Sequence, residues 1–327
     1  MNWDVLAANV LEGHRISREQ ALEMLRSSDD RLEALLSAAE RIRSHHFGRE
    51  VHLHVLHNAR RDLCPEDCSF CSQSSRYDTG IGEQPLSDVE TLVEAAHAAR
   101  VKGAARYCMV TATRGPSNTD LDVICEAVRR IKTELPGLEI CTSLGLLNES
   151  RAHRLADAGV DRYNHNLETS ERHFPTVTTT HSYADRVDTV QAARSAGMEA
   201  CCGGIVGLGE TLEDRVELAF ALADLGVASV PLNFLDPRAG TPMEGFEKPS
   251  AEDCLRTLAM FRFVHPDVDL RVAGGREVCL GDQQPRALRA ANSMFLEGYL
   301  TTPGQGASED ARMLAEAGYD VVEMINR

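Results

Sequence analysis

Strand-like and helix-like segments alternate from residue 51 to the end of the chain, and this alternation predicts an α/β protein, a (β/α)8 TIM-type barrel with an N-terminal helical extension. A helix-ending glycine pattern supports it, recurring as Ala156-Asp-Ala-Gly159, Arg194-Ser-Ala-Gly197, Ala223-Asp-Leu-Gly226 and Ala315-Glu-Ala-Gly318, with Val101-Lys-Gly103 as a looser copy. Apolar runs follow several of these glycines, and eight strands can be counted, the number that closes a parallel barrel.

Residues 1–47 precede the first strand and read as helices, with Ser17-Arg-Glu-Gln20 as a capping box, so they are expected to form an extension covering one end of a barrel that occupies 48–327. The strands fall at about 51–57, 106–112, 138–143, 162–167, 199–206, 229–235, 268–273 and 293–296. Amphipathic stretches between them open on caps: Ser87 with Glu90, Ser182 with Asp185, Thr211 with Asp214 and Ser250 with Asp253. A doubly wound open sheet is the alternative, but it usually carries its phosphate loop early, and the glycine-rich run 203–209 lies late.

The chain has 327 residues, enough for one large barrel or two ordinary domains. Fifty acidic residues stand against 34 basic ones, a formal charge of -16, and the basic residues are scattered, which argues against binding nucleic acid or an anionic membrane. No run of 18 apolar residues occurs and the N-terminus has no basic region, so a soluble, cytoplasmic protein is expected. Ten cysteines in that setting point to reduced thiols or metal ligands.

Cys64, Cys68 and Cys71 are spaced C-x3-C-x2-C directly after the first strand, where a barrel builds its active face. Three thiolates hold three irons of a cubane cluster and leave the fourth open to a small molecule. A structural zinc loop is the alternative, yet no matching second pair of ligands follows. Cys108, Cys141 and Cys201 lie on separate strands; taken singly each reads as a buried core thiol, and together they raise a second iron–sulfur site in the lumen. Arg271 adds a cation to an otherwise apolar strand. In Tyr163-Asn-His-Asn-Leu-Glu168 the alternation puts Asn164, Asn166 and Glu168 on one face, either a strand running into solvent or hydrogen-bonding groups in the barrel mouth, and Asn233 is a similar inward amide.

These residues, with YCMVTATRGPSN (107–118), EICTSLGLL (139–147), DAGVDRYNHNLETS (157–170), GGIVGLGET (203–211), SVPLNFL (229–235), LRVAGGRE (270–277) and AANSMFLEGYLTTPGQ (290–305), resemble the radical S-adenosylmethionine enzymes and, within them, the biotin synthase family, nearly end to end. The resemblance implies a cytoplasmic homodimeric sulfurtransferase that inserts sulfur between two unactivated carbons of dethiobiotin to give biotin, the last step of biotin biosynthesis, with electrons from a flavodoxin- or ferredoxin-type donor. It implies that Cys64, Cys68 and Cys71 hold a 4Fe-4S cluster whose open iron binds S-adenosylmethionine, split reductively to a 5'-deoxyadenosyl radical. Cys108, Cys141, Cys201 and Arg271 match the ligands of a 2Fe-2S cluster that gives up sulfide. Asn166, Glu168, Arg186, Gly204, Ile205 and Glu210 match the cofactor-binding positions, with Arg186 at the carboxylate and 204–210 along the adenine; Asn164, Asn166 and Asn233 match those that meet dethiobiotin. Glu168 departs from the family's commoner Asp, Cys202 adjoins Cys201, and Cys125, Cys254 and Cys279 receive no role.

Overall fold

The computed structural model describes residues 1–322 and shows a closed parallel barrel wrapped by helices. Three helices come first, α1 (Trp3–Leu11), α2 (Arg18–Leu25) and α3 (Leu32–Phe47), and they bury Trp3, Met24, Leu35, Leu36 and Ile42 in the largest apolar cluster of the molecule. Ser17 and Gln20 form the expected capping box.

The barrel follows as β1 (Glu50–Arg60), α4 (Val89–Val101), β2 (Arg106–Thr111), α5 (Asn118–Glu134), β3 (Glu139–Ser143), α6 (Glu149–Ala158), β4 (Arg162–Asn164), α7 (Tyr183–Ser195), β5 (Glu199–Cys201), β6 (Gly204–Val206), α8 (Leu212–Asp224), β7 (Ser229–Phe234), α9 (Ala251–Val264), β8 (Asp269–Val272), α10 (Arg276–Leu280), α11 (Gln284–Ala287) and β9 (Ser293–Phe295). All of the barrel pairings are parallel, and β1 closes the ring on β9 through His52–Ser293, Leu53–Met294 and His54–Phe295. Beyond it come a hairpin, β10 (Gly298–Tyr299) with β11 (Thr302–Pro303), the helix α12 (Ala307–Glu316), and β12 (Asp320–Val321), which adds to the start of β1.

The helix caps follow the sequence with one correction. Ser182–Asp185 and Thr211–Asp214 form reciprocal boxes, and Ser250 accepts from Asp253. At α4 the cap is Asp88, whose carboxylate accepts from the Thr91 amide, while Ser87 is buried and bonds back to the Ala59 carbonyl. Aspartate outcompetes its neighbour because the next residue already has helical geometry and an anion suits the helix start.

Two predicted strands also differ. β4 ends at Asn164, three residues early, and the run 199–206 is split at Cys202-Gly203. The split faces Pro231 of β7, which has no N–H for the ladder. The chain still passes very close there: a Cβ on Gly203 would lie 1.9 Å from the Pro231 carbonyl oxygen. The register nevertheless continues across the break, Cys201 opposite Ser229 and Gly204 opposite Leu232, so β5 and β6 act as one barrel stave.

Gly203→Ala is expected to destabilise the protein by about 3 kcal/mol, because backbone must move to admit the methyl group. Gly82→Ala, where nothing lies within 4 Å of the new Cβ, serves as the control and should be close to neutral. Urea unfolding of the two variants decides the point, and equal midpoints would refute it.

Candidate functional site

Side chains of one parity point into the barrel, and they form layers. The lowest is ionic. Asp269 Oδ2 accepts from Arg162 Nη1 at 2.9 Å, Ser229 Oγ at 3.0 Å and Arg271 Nη2 at 3.2 Å, with Arg106 Nη1 at 3.5 Å. Arg106 and Arg162 also pair with Glu139 and Glu199, the residues opposite them on neighbouring strands. Burial by itself would raise the Asp269 pKa, but Arg271, Arg162 and Arg106 hold it well below the usual carboxylate range. His54, beside Arg106, is kept neutral by burial and by the same cations.

Above this floor stand Cys108, Cys141, Cys201 and Arg271. Cys108 and Cys141 are directly opposite in β2 and β3, and Cys201 is opposite Asn164. The neighbouring Cys141 thiol lowers the Cys108 pKa, while contact with Cys108 raises that of Cys141 to about 12. Cys201 is pushed up by Cys141 and then by burial. Arg271, 1 % exposed, places Nη1 3.7 Å from Cys201 Sγ and lies over the Phe295 ring, and its Nε has no partner. Asn164 Nδ2 is 3.2 Å from Cys201 Sγ. Cys202 points the other way, into the apolar cluster outside the barrel, as strand alternation requires.

The other trio sits in the loop after β1. Cys71 N bonds Cys68 O at 2.9 Å and Ser75 N bonds Cys64 O at 2.9 Å, which coil the loop tightly. It is tied to the segment before α7: Ser69 N reaches Val177 O at 2.9 Å, and the Asp67 carboxylate accepts from Thr178 Oγ1 at 2.6 Å, Thr179 N at 2.9 Å and Thr180 N at 3.2 Å. Burial pushes the Cys64 thiol up to about 11 and Cys71 up to about 12, and Cys68 rises for the same reason. Among the described residues no three His, Cys, Asp or Glu side chains converge on a point suited to one metal ion.

Between the two trios lies a cavity of about 280 Å³, lined by Cys64, Cys68 and Cys71 at one end and by Cys108, Cys141 and Arg271 at the other. Asn164, Asn166, Glu168, Arg186, Ile205 and Asn233 line it too. Because β4 has ended, His165 also faces the cavity, with Nε2 unpaired, and Glu168 adopts a left-handed backbone with φ of 68°. Glu168 Oε1 accepts from Arg186 Nη1 at 3.2 Å, while Oε2 is buried without a partner. Burial raises the Glu168 pKa against the pull of Arg186. Arg186 also donates to Asn166 O at 2.7 Å and sets Nη2 3.7 Å from Cys68 Sγ. Asn233 accepts from Gly274 N at 2.9 Å and donates to Gly204 O at 3.2 Å.

Gly204 and Glu210 stand behind the wall. A Cβ on Gly204 would meet the Glu168 carbonyl at 2.4 Å, so the glycine lets the chain approach, and Glu210 accepts from Gly207 N at 2.9 Å and Arg215 Nε at 2.7 Å, bracing the 204–210 turn. The sequence reading gave no role to the hairpin at the mouth, where Tyr299 to Thr302 line the cavity and Thr301 Oγ1 meets Ser72 Oγ of the cysteine loop at 3.1 Å. Its signal in the sequence is the pair Gly298 and Gly304 bracketing a five-residue turn, which are packed too closely to carry side chains.

Family models match the chain in two stretches, the radical SAM superfamily over 61–222 and the Biotin and Thiamin Synthesis associated domain over 231–320. The biotin synthase of Salinibacter ruber is 57% identical over 320 residues, covering 98% of this chain and 89% of that protein, and that of Bacillus subtilis is 44% identical over 319, covering 98% and 95%. Among solved structures, a methylornithine synthase superposes with a TM-score of 0.86 at 22% identity, covering 98% of each chain. The FeFe-hydrogenase maturase HydG from Carboxydothermus hydrogenoformans gives 0.83 at 17%, covering 98% of this chain and 79% of its own. These likenesses carry the fold.

Asp67→Ala is expected to free the cysteine loop while the barrel stays folded: amide exchange should rise across 63–77 and not in β2 or β3. Protection left unchanged in the loop would show that the threonine clamp does not hold it.

Proposed function

The chain belongs to the biotin synthase family within the radical SAM superfamily, and we propose the site assignment by which it carries out that family's reaction, insertion of sulfur between two unactivated carbons of dethiobiotin. The observation that carries the assignment is that Cys64, Cys68 and Cys71 face Cys108, Cys141 and Arg271 through one cavity. Cys64, Cys68 and Cys71 would hold the 4Fe-4S cluster and leave one iron for S-adenosylmethionine, and Cys108, Cys141 and Cys201 with Arg271 would hold a 2Fe-2S cluster. The chemistry these groups supply when bound is hydrogen abstraction by a 5'-deoxyadenosyl radical and donation of sulfide.

The donor sets suit those groups. The unpartnered Nε of Arg271 and the buried thiols of Cys108, Cys141 and Cys201 around it are what a site built around an inorganic cluster looks like from the protein side. The bare Oε2 of Glu168 is placed to accept from sugar hydroxyls, and Arg186, its charge pointing into the cavity beside Cys68, is placed for a carboxylate. Ile205 offers an apolar surface for a purine, with Gly204 setting its approach and Glu210 holding the turn. Asn164, Asn166 and Asn233 present amides to a ureido ring. The 299–302 hairpin, joined to Ser72, closes the mouth and keeps water from a reactive radical.

By family likeness we propose that the enzyme works as a cytoplasmic homodimer reduced by a flavodoxin- or ferredoxin-type donor, with 1–47 as a helical extension and 48–327 as the catalytic barrel. The last five residues of that range lie outside those described. No helix among the described residues is long and apolar enough to cross a membrane.

Cys68→Ala is expected to abolish 5'-deoxyadenosine formation while leaving the lumen cluster's optical absorption largely intact; wild-type 5'-deoxyadenosine yields would refute the first trio's role. For Cys141→Ala the expectation is reversed. The lumen absorption and biotin formation disappear and cleavage of S-adenosylmethionine persists, so retention of both would move the sulfur source elsewhere.

A further inference from the structure

Behind Arg186 lies a buried chain of polar groups with no part in the assignment above. Arg186 Nε donates to His181 Nε2 at 2.9 Å, and His181 Nδ1 meets Glu66 Oε2. Glu66 also accepts from Thr180 Oγ1 at 2.6 Å and from Arg114 Nη1 at 2.8 Å. The His181 side chain is 4 % exposed and that of Glu66 8 %. His181 is not among the residues lining the cavity, whereas Arg186 is.

Atom chemistry fixes how this chain must run. A guanidinium has no acceptor, so the lone pair belongs to His181 Nε2 and the ring proton to Nδ1, where it faces a carboxylate. Burial, followed by the charge of Arg186, keeps the imidazole pKa low, in agreement with a neutral ring. Phe174 completes the clamp: the Arg186 guanidinium lies 5.4 Å from its ring centre, and His181 meets the same ring edge-on at 5.7 Å. With Nη1 committed to Asn166 and Glu168 and Nε to His181, the guanidinium has one orientation, and it aims Nη2 at the space beside Cys68.

We propose that His181, held in one tautomer by Glu66, is a positioning residue that fixes the Arg186 guanidinium for the carboxylate of S-adenosylmethionine. This rests on the reading of the cavity as an S-adenosylmethionine site.

Two substitutions separate the two ring nitrogens. In His181→Gln the amide oxygen falls near the place of Nε2 and still accepts from Arg186; in His181→Asn the amide falls near Nδ1, serves Glu66 and leaves Arg186 unpinned. Equilibrium dialysis of S-adenosylmethionine against the anaerobic, cluster-loaded, unreduced protein should show the Gln variant within about threefold of wild type and the Asn variant weaker by about tenfold or more, the size expected for one hydrogen bond to a charged group. Iron content and melting temperature should be the same for both. A second reading uses the metal-free chain: the Arg186 Nε–H nitrogen-15 signal should exchange slowly in wild type and His181→Gln and fast in His181→Asn. Wild-type affinity in the Asn variant, equal losses in both variants, or slow Nε–H exchange in the Asn variant each overturn the proposal. If wild type itself fails to bind S-adenosylmethionine, the cavity assignment falls and takes the proposal with it, a result distinct from an unaffected Asn variant.

Discussion

One buried carboxylate makes the lumen possible. Arg106, Arg162 and Arg271 project into the barrel from three different strands, and burying three guanidiniums there would be prohibitive without a counter-charge at their centre. Asp269 supplies it, accepting from all three, while Glu139 and Glu199 take the outer ends of Arg106 and Arg162. With His54 neutral, those three arginines and three acids balance. The floor is therefore rigid and uncharged overall, and it presents Arg271 upward at a defined height next to Cys201.

The opposite end of the cavity is built on another principle. There the backbone leaves regular structure, and side chains hold it: Asp67 gathers the Thr178–Thr180 segment, the Ser72–Thr301 contact joins the cysteine loop to the hairpin, and Glu168 sits in a left-handed conformation that a ladder could not supply. Floor and mouth thus divide the work. Strand ladders place the lumen thiols, and a loop tied by side chains places the mouth thiols.

Much of this was legible in the chain. The helix-ending glycines and the spaced apolar runs gave the barrel, because periodicity and left-handed caps are local properties. The cysteine spacing gave the mouth trio, since three thiols within eight residues need only a loop to come together. Alternation also separated Cys201 from Cys202, because neighbours in a strand face opposite sides. Where alternation was carried past the end of its strand it misled: His165 joins Asn164 and Asn166 on the cavity wall, since β4 stops at Asn164.

What the sequence by itself determined is the succession of elements, the grouping of the loop cysteines and the parity of each stave. Tertiary structure alone decided which staves are neighbours at one height, and so brought Asp269 under three arginines, His181 against both Arg186 and Glu66, and the 299–302 hairpin over the mouth. The Asp269–Arg162, Asp269–Arg106, Glu66–His181 and Ser72–Thr301 contacts join residues 100 or more positions apart. Local pattern cannot encode them, because they arise only when distant staves and loops meet.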